Sequence, residues 1–319
     1  MYGVEDNSIT VVVPARRAFA TLPQTLDSLY QSTIRPSVIV VEDGVVDRTS
    51  DLLSQFPEII LLRNRHARGA AASRNFGLHL VITPYVMFLD ADDLIGKDQF
   101  AHAISDLEQS HADLCLTPWS FHDQRNPFGV IKLPPVGIDN RLRVLQWLSN
   151  CCFPPCAVVW RTASIRFLGG WNENISYNDD ADLMIRSFLA GCSIAVAQRG
   201  CGYYVQHDSP FRLSRSSADQ VDVSSRQIYQ LVINSLPFLD DPDAQRVLGT
   251  FCYEQARRQY RQARFQCGRD WLLRAHYHGF KGHHGTMAHR VLVRLLGLPI
   301  KERLAGFRDS HSWLRHRFG

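Results

Sequence analysis

The 319-residue chain has no CxxC pair, and its eight cysteines (Cys115, Cys151, Cys152, Cys156, Cys192, Cys201, Cys252 and Cys267) fall in strand-like or helix-like contexts. That spacing argues against a zinc or disulfide framework and leaves them as small buried side chains of a reducing compartment. No basic segment followed by an apolar one opens the chain at MYGVEDNSIT, and the C-terminal apolar run is broken by Arg294 and Pro299. Neither a signal peptide nor a spanning helix is therefore expected, and the protein is placed in the cytoplasm. GxGxxG is absent, which sets aside a dinucleotide oxidoreductase. Internal repeats and low-complexity tracts are absent too. What is present is ordinary globular composition, 45% hydrophobic and 21% charged, in a length that suits one large core or a core with a smaller domain.

Charge is unevenly spread. Residues 251–319 hold 14 Lys/Arg against 4 Asp/Glu, a net +10, which leaves 21 against 27, a net −6, for residues 1–250. Two functions in two parts are expected, with a first domain over 1–217 and a helical, basic region over 218–319.

Strand-like and helix-like runs alternate through the first hundred residues. SITVVVPA, SVIVVEDG, EIILLRN and YVMFLD read as strands; TLPQTLDSLYQST, with Leu22, Leu26 and Leu29 on one face, DRTSDLLSQF and ARGAAASRNFGLHLV read as helices. This is the pattern of an α/β, doubly wound sheet, mixed but mainly parallel, flanked by helices. Such sheets bind ligands at the carboxyl edge of their strands, and there stand Arg16 and Arg17, Glu42 and Asp43, Arg63, Arg65 and Arg68, and finally Asp90, Asp92 and Asp93. In FLDADD (88–93) one carboxylate suffices to cap a following helix. Three in four residues repel unless a cation neutralises them, and Mg²⁺ or Mn²⁺ takes one or two carboxylates together with substrate phosphates.

In this order and spacing, VVVPARRAFATLPQTLDSLYQST, VIVVEDGVVDRTSDLL, RGAAASRNFGL, YVMFLDADD, LGGWNE and NDDADLMIRSFLAG resemble family-2 inverting glycosyltransferases of the GT-A fold, over about residues 9–207. The resemblance implies a hexosyltransferase that moves a sugar from a nucleotide-diphosphate donor, a UDP-sugar being expected, to an acceptor hydroxyl. It makes Asp90-Ala91-Asp92 the metal motif for Mn²⁺ or Mg²⁺. It also places Asp43 against the nucleotide base, with Pro14, Ala15 and Arg17 lining the base and ribose pocket. Arg68 and Gly69 would pass beneath the nucleotide, and Arg74 and Asn75 match helix positions. Arg74 reads equally well as a salt-bridged surface arginine.

The second acid cluster, Asn178-Asp179-Asp180-Ala181-Asp182, matches the stretch whose acids face the acceptor. Inversion needs a base opposite the leaving diphosphate, and Asp180 aligns with it. Asp179 stands where Glu is commoner, and Asp182 is expected to stabilise the helix N-terminus. His207 matches a histidine that approaches the metal or diphosphate. Arg16-Arg17 in place of Tyr-Asn, Glu42 in place of Asp and Val45-Val46 in place of Ser-Thr depart from the family where the nucleotide lies, so the base is left open.

The tail, ARRQYRQARFQCGRDWLLRAHYHGFKGHHG followed by HRVLVRLLGLPIKERLAGF, mixes Arg with Leu, Trp and Phe at helical spacing. It suits a helix on an anionic membrane surface, which would put the protein on the inner face of the cell membrane, or a cap with a solvated basic face. His276, His278, His283 and His284 are expected at the surface. No nucleic-acid reading motif accompanies the charge. The acceptor is expected to be a saccharide or a lipid-linked saccharide, as in polysaccharide or glycoconjugate assembly. The rival readings are a nonenzymatic nucleotide-sugar binding module and a sugar-nucleotide nucleotidyltransferase. The latter normally carries a Gly-rich loop where this chain has PARRAFATLP.

Overall fold

The computed structural model describes residues 8–44, 48–54, 56–123, 129–149, 152–206, 217–235, 241–282 and 286–315. The chain divides into two compact units, one of residues 1–143 and 152–212, the other of residues 144–151 and 213–319.

The first unit opens with β1 (Ile9–Ala15), α1 (Leu22–Tyr30), β2 (Ser37–Asp43), α2 (Thr49–Leu53), β3 (Ile60–Asn64), α3 (Ala70–Leu80) and β4 (Tyr85–Phe88). It continues with β5 (Leu94–Ile95), α4 (Gln99–Ser110), β6 (Leu114–Leu116), β7 (Trp119–His122) and α5 (Asn140–Leu148), whose last five residues count with the second unit. β8 (Val158–Arg161), α6 (Thr162–Phe167), α7 (Asp179–Leu189), β9 (Ile194–Val196) and β10 (Gly202–Val205) complete it. The main sheet has seven strands in the order β3-β2-β1-β4-β8-β6-β9. β1 to β4 pair in parallel, while β8 runs antiparallel to both β4 and β6. A second sheet has the order β5-β10-β7.

The apolar, β-branched run of β1 is buried at all but one position, as a central parallel strand covered on both faces must be. Leu22, Leu26 and Leu29 of α1 are fully buried, so the stripe read from the sequence is the stripe that packs, each leucine worth about 1.5–3 kcal/mol of burial. α3 lies so close to the sheet that a Cβ on Gly77 would come within 2.4 Å of Val12. These layers bring the carboxyl ends of β1, β2 and β4 and the N-terminus of α3 to one edge.

The second unit contains α8 (Ala218–Ser235), α9 (Pro242–Arg261), α10 (Phe265–Tyr277), α11 (Met287–Leu296) and α12 (Leu298–Arg315). Trp271 is fully buried, with Tyr229 and Phe251 edge-on to its ring and its indole N–H donated to Asp222 at 2.6 Å. Glu302, also fully buried, accepts from Arg257 at 2.7 Å, Arg261 at 2.6 Å and Lys301 at 2.9 Å. Burial raises its pKa, but these donors outweigh burial and hold it down at about 2. His278 is not at the surface as expected. Its Nε2 lies 2.8 Å from the Tyr229 hydroxyl and its Nδ1 2.7 Å from Gln245 Oε1, whereas His276 is exposed and His283 and His284 lie outside the described residues. Among the described residues no helix is long and apolar enough to cross a membrane.

Candidate active site

Asp43 ends β2 as a buried carboxylate. Its Oδ1 accepts from the Arg68 backbone N–H at 2.7 Å and from Asn64 Nδ2 at 3.1 Å, and its Oδ2 accepts from the Gly69 N–H at 3.0 Å. The turn into α3 is thus tied to the strand end by charge-assisted bonds. Two glycines make the approach possible. Gly44 has φ +69° and no room for a Cβ, which would sit 2.0 Å from Ala67 N; Gly69 has φ +92°. Pro14 and Ala15 flank this point from the end of β1, in register with Val41 and Glu42. Arg17 follows as an exposed residue with φ +55°.

The arginines of the edge do not all turn to one crevice. Arg63 pairs with Glu42 at 2.7 Å, and the Arg68 side chain pairs with Glu173 of LGGWNE at 2.8 Å. Asn75 clamps the same segment: its Nδ2 donates to Trp171 O at 2.9 Å and its Oδ1 accepts from Trp171 N at 2.8 Å. Asp182 stands in the first turn of α7, as expected, and also secures the other side of the segment. It holds Arg186 at 2.7 Å, and Arg186 donates on to the carbonyls of Leu168 and Gly170.

At the centre is Arg74, which is no surface arginine: it is 1% exposed. Its Nη2 donates to Asp90 Oδ1 and its Nη1 to Asp179 Oδ2, each at 2.6 Å. Its guanidinium lies 4.2 Å from the centre of the Trp171 ring, which itself meets Phe88 edge-on at 5.2 Å. Burial opposes the charge on Arg74, but Asp90 and Asp179 outweigh it and raise the pKa, so the side chain is a permanent cation. By sequence alone Arg74 is not among the expected site residues. The sequence signal that marks it as inward-facing is its place three residues after Ala71 and four before Leu78, both on the buried face of α3.

The acids have separate environments. Asp93 is fully buried and accepts from Val205 N at 2.9 Å, which anchors β10. Asp90 and Asp92 are only partly buried. Asp179 is raised by burial, against the pull of Arg74. Asp180 lines an apolar pocket with Phe88, Phe153, Trp160, Trp171 and Met184. Burial first, and then the charge of Asp179, raise its pKa to about 7. A carboxylate with that pKa is poised to take a proton near neutral pH. His207 lies outside the described residues.

Among the described residues no cluster of three or more His, Cys, Asp or Glu is suited to a metal ion. Asp90 and Asp92 nevertheless fit one. Two hard oxygen donors two residues apart, one of them oriented by Arg74, match the way Mg²⁺ is commonly held, with substrate phosphates and water completing the shell.

Residues 10–168 match the family model described as Glycosyl transferase family 2. The match is confined to this segment, which resembles glycosyl transferase family 2. A pre-mycofactocin glycosyltransferase of Mycobacterium tuberculosis is 28% identical over 198 residues, which is 60% of this chain and 41% of that protein. The amylovoran biosynthesis glycosyltransferase AmsB of Erwinia amylovora is 27% identical over 221 residues, 63% of this chain and 71% of its own. The chain thus spans less than half the length of the mycobacterial relative. Among solved structures, S. aureus TarS 1-349 in complex with UDP-GlcNAc superposes with a TM-score of 0.63 at 16% identity, over 86% of this chain and 93% of that one. The mannosyltransferase PcManGT from Pyrobaculum calidifontis, in complex with GDP-Man and Mn²⁺, gives 0.58 at 15% identity over 96% and 84%. The fold is GT-A, and C-terminal helices follow it in the chain.

Proposed function

We propose that this chain is an inverting glycosyltransferase that moves a hexosyl group from a nucleotide-diphosphate donor, a UDP-sugar in our reading, to a saccharide or lipid-linked saccharide hydroxyl in polysaccharide or glycoconjugate assembly. The observation that carries the reading is Arg74. Acid clusters 89 residues apart in sequence share its one buried guanidinium, Asp90 on one side and Asp179 on the other. Asp180, next to Asp179, is the base: its Oδ takes the acceptor hydroxyl proton as the acceptor oxygen forms its bond to the anomeric carbon. The bond from that carbon to the diphosphate oxygen breaks in the same in-line step, and the electron pair leaves with the nucleoside diphosphate. Arg74 holds Asp179 in place beside the base, and apolar side chains line the pocket around Asp180. Asp43, Gly69, Arg68, Pro14, Ala15 and Arg17 form the nucleotide end. Asp90 and Asp92 would hold Mn²⁺ or Mg²⁺, with His207 assigned to the same role by resemblance, and the ion would supply charge compensation at the diphosphate. The basic C-terminal region belongs with a cytoplasmic protein seated on the inner face of a membrane.

Incubation of the purified chain with UDP- and GDP-sugars and Mn²⁺ tests this. Release of nucleoside diphosphate supports it. Binding without release would leave a nucleotide-sugar module, and pyrophosphate formation from a nucleoside triphosphate would identify a nucleotidyltransferase.

A further inference from the structure

α11 is an amphipathic helix with its apolar side outward. At 100° per residue, Met287, Ala288, Val291, Leu292, Leu295 and Leu296 share one arc. All six are exposed, Met287 by 73% and Leu295 by 74%, and the buried positions of the helix are His289 and Val293 instead. Arg290 and Arg294, both exposed, border the arc. The next helix repeats the pattern: Ile300, Leu304 and Phe307 of α12 stand four and three residues apart and are all exposed, and the Arg303 guanidinium lies 4.2 Å from the centre of the Phe307 ring. From 286 to 307 there are four Lys/Arg and one acid, Glu302. That acid is buried among Arg257, Arg261 and Lys301, so it presents no negative charge to the outside.

A packed helix ordinarily hides such an arc. An arc left in water, bordered by arginines, has the composition of helices that lie in a membrane interface: apolar side chains enter the acyl boundary while the cations stay at the headgroups. We propose that the outer face of α11 and the first turns of α12 dock on an anionic lipid bilayer. A second copy of the chain fits less well, because a two-fold interface sets the same patch against itself. That would bring the cations of one copy against those of the other without an exposed acid from residues 286–307 between them. The inference names the face behind the peripheral position proposed above, and it requires no donor or turnover to be tested.

Flotation of the full chain with vesicles of phosphatidylcholine, with and without phosphatidylglycerol, tests it. Wild type is expected to float with the anionic vesicles and to stay behind with phosphatidylcholine alone. The doubly substituted L292E/L295E, changed only at exposed positions, is expected to lose floating by about tenfold or more, as is R290Q/R294Q. Thermal melts unchanged from wild type show that these variants are folded. Wild type that fails to float with anionic vesicles, or L292E/L295E that floats as well as wild type, overturns the proposal. So does a wild-type dimer that L292E/L295E converts to monomer without any floating, an outcome that assigns the face to a second copy. Nucleoside diphosphate release, measured in parallel without vesicles, separates a failure of docking from a failure of the glycosyltransferase reading.

Discussion

Arg74 Nη2 lies 2.6 Å from Asp90 Oδ1, inside a site where the arginine is almost fully buried and the aspartate partly open. The same guanidinium holds Asp179 at 2.6 Å. One cation therefore answers two carboxylates that stand 89 residues apart in the sequence. Without it the two would face each other across a desolvated space.

Arg74→Lys is expected to keep a charge but lose the bridge, since a single ammonium cannot reproduce two parallel guanidinium bonds. Arg74→Met, which leaves the partly buried Asp90 and Asp179 without their cation, is expected to cost about 3 kcal/mol. Denaturant unfolding of both variants checks the order, with Met below Lys and Lys below wild type.

Asp92→Asn is expected to abolish nucleoside diphosphate release while leaving the melting temperature of the free protein near wild type, because Asp92 is only half-buried at the open edge. Chelation of divalent ions should do the same to wild type, and added Mn²⁺ should restore wild type but not the variant. Release assays with and without chelator decide this.

The pH profile follows from Asp180. Its pKa is raised to about 7, by burial and then by Asp179, and a base acts in its deprotonated form. kcat/KM is therefore expected to fall tenfold per pH unit below about pH 7 and to level off above it. A profile flat down to the ordinary carboxylate range contradicts the assignment.

Much of the first unit was legible in the sequence. β1, β2 and β4 carry the apolar runs VVV, VIVV and YVMF, and α1 shows its stripe at Leu22, Leu26 and Leu29, so burial dictates where they go. The second sheet was not legible, because Leu94–Ile95 is too short to show a period and its partners around Trp119 and Tyr203 mix polar with aromatic residues. Nor does local sequence carry strand direction, so the antiparallel β8 within an otherwise largely parallel sheet had no signal. At the site, the acids stood out because they cluster. Arg74 did not, because a lone arginine on a helix looks the same whether water or two carboxylates meet it. Asp182 was legible as a first-turn acid, but not its partner Arg186, which lies one turn further along.

Glu302 supplies a prediction for the second unit. Its folded pKa of about 2 lies below the ordinary glutamate value, so its contribution is present above about pH 4.3 and is lost as pH falls towards 2, on the order of 3 kcal/mol in all. Glu302→Gln should lower stability at neutral pH and make acid unfolding less steep. Urea melts from pH 7 to pH 2 measure both.

The most direct measurement compares Asp180→Asn with wild type in two assays on the same preparation. The thermal shift on adding nucleoside diphosphate and Mn²⁺ should match wild type, since the nucleotide end is intact, while sugar transfer should fall by roughly 10²–10⁴-fold. An Asp180→Asn protein that binds the nucleotide and turns over donor at near wild-type rate would contradict the account.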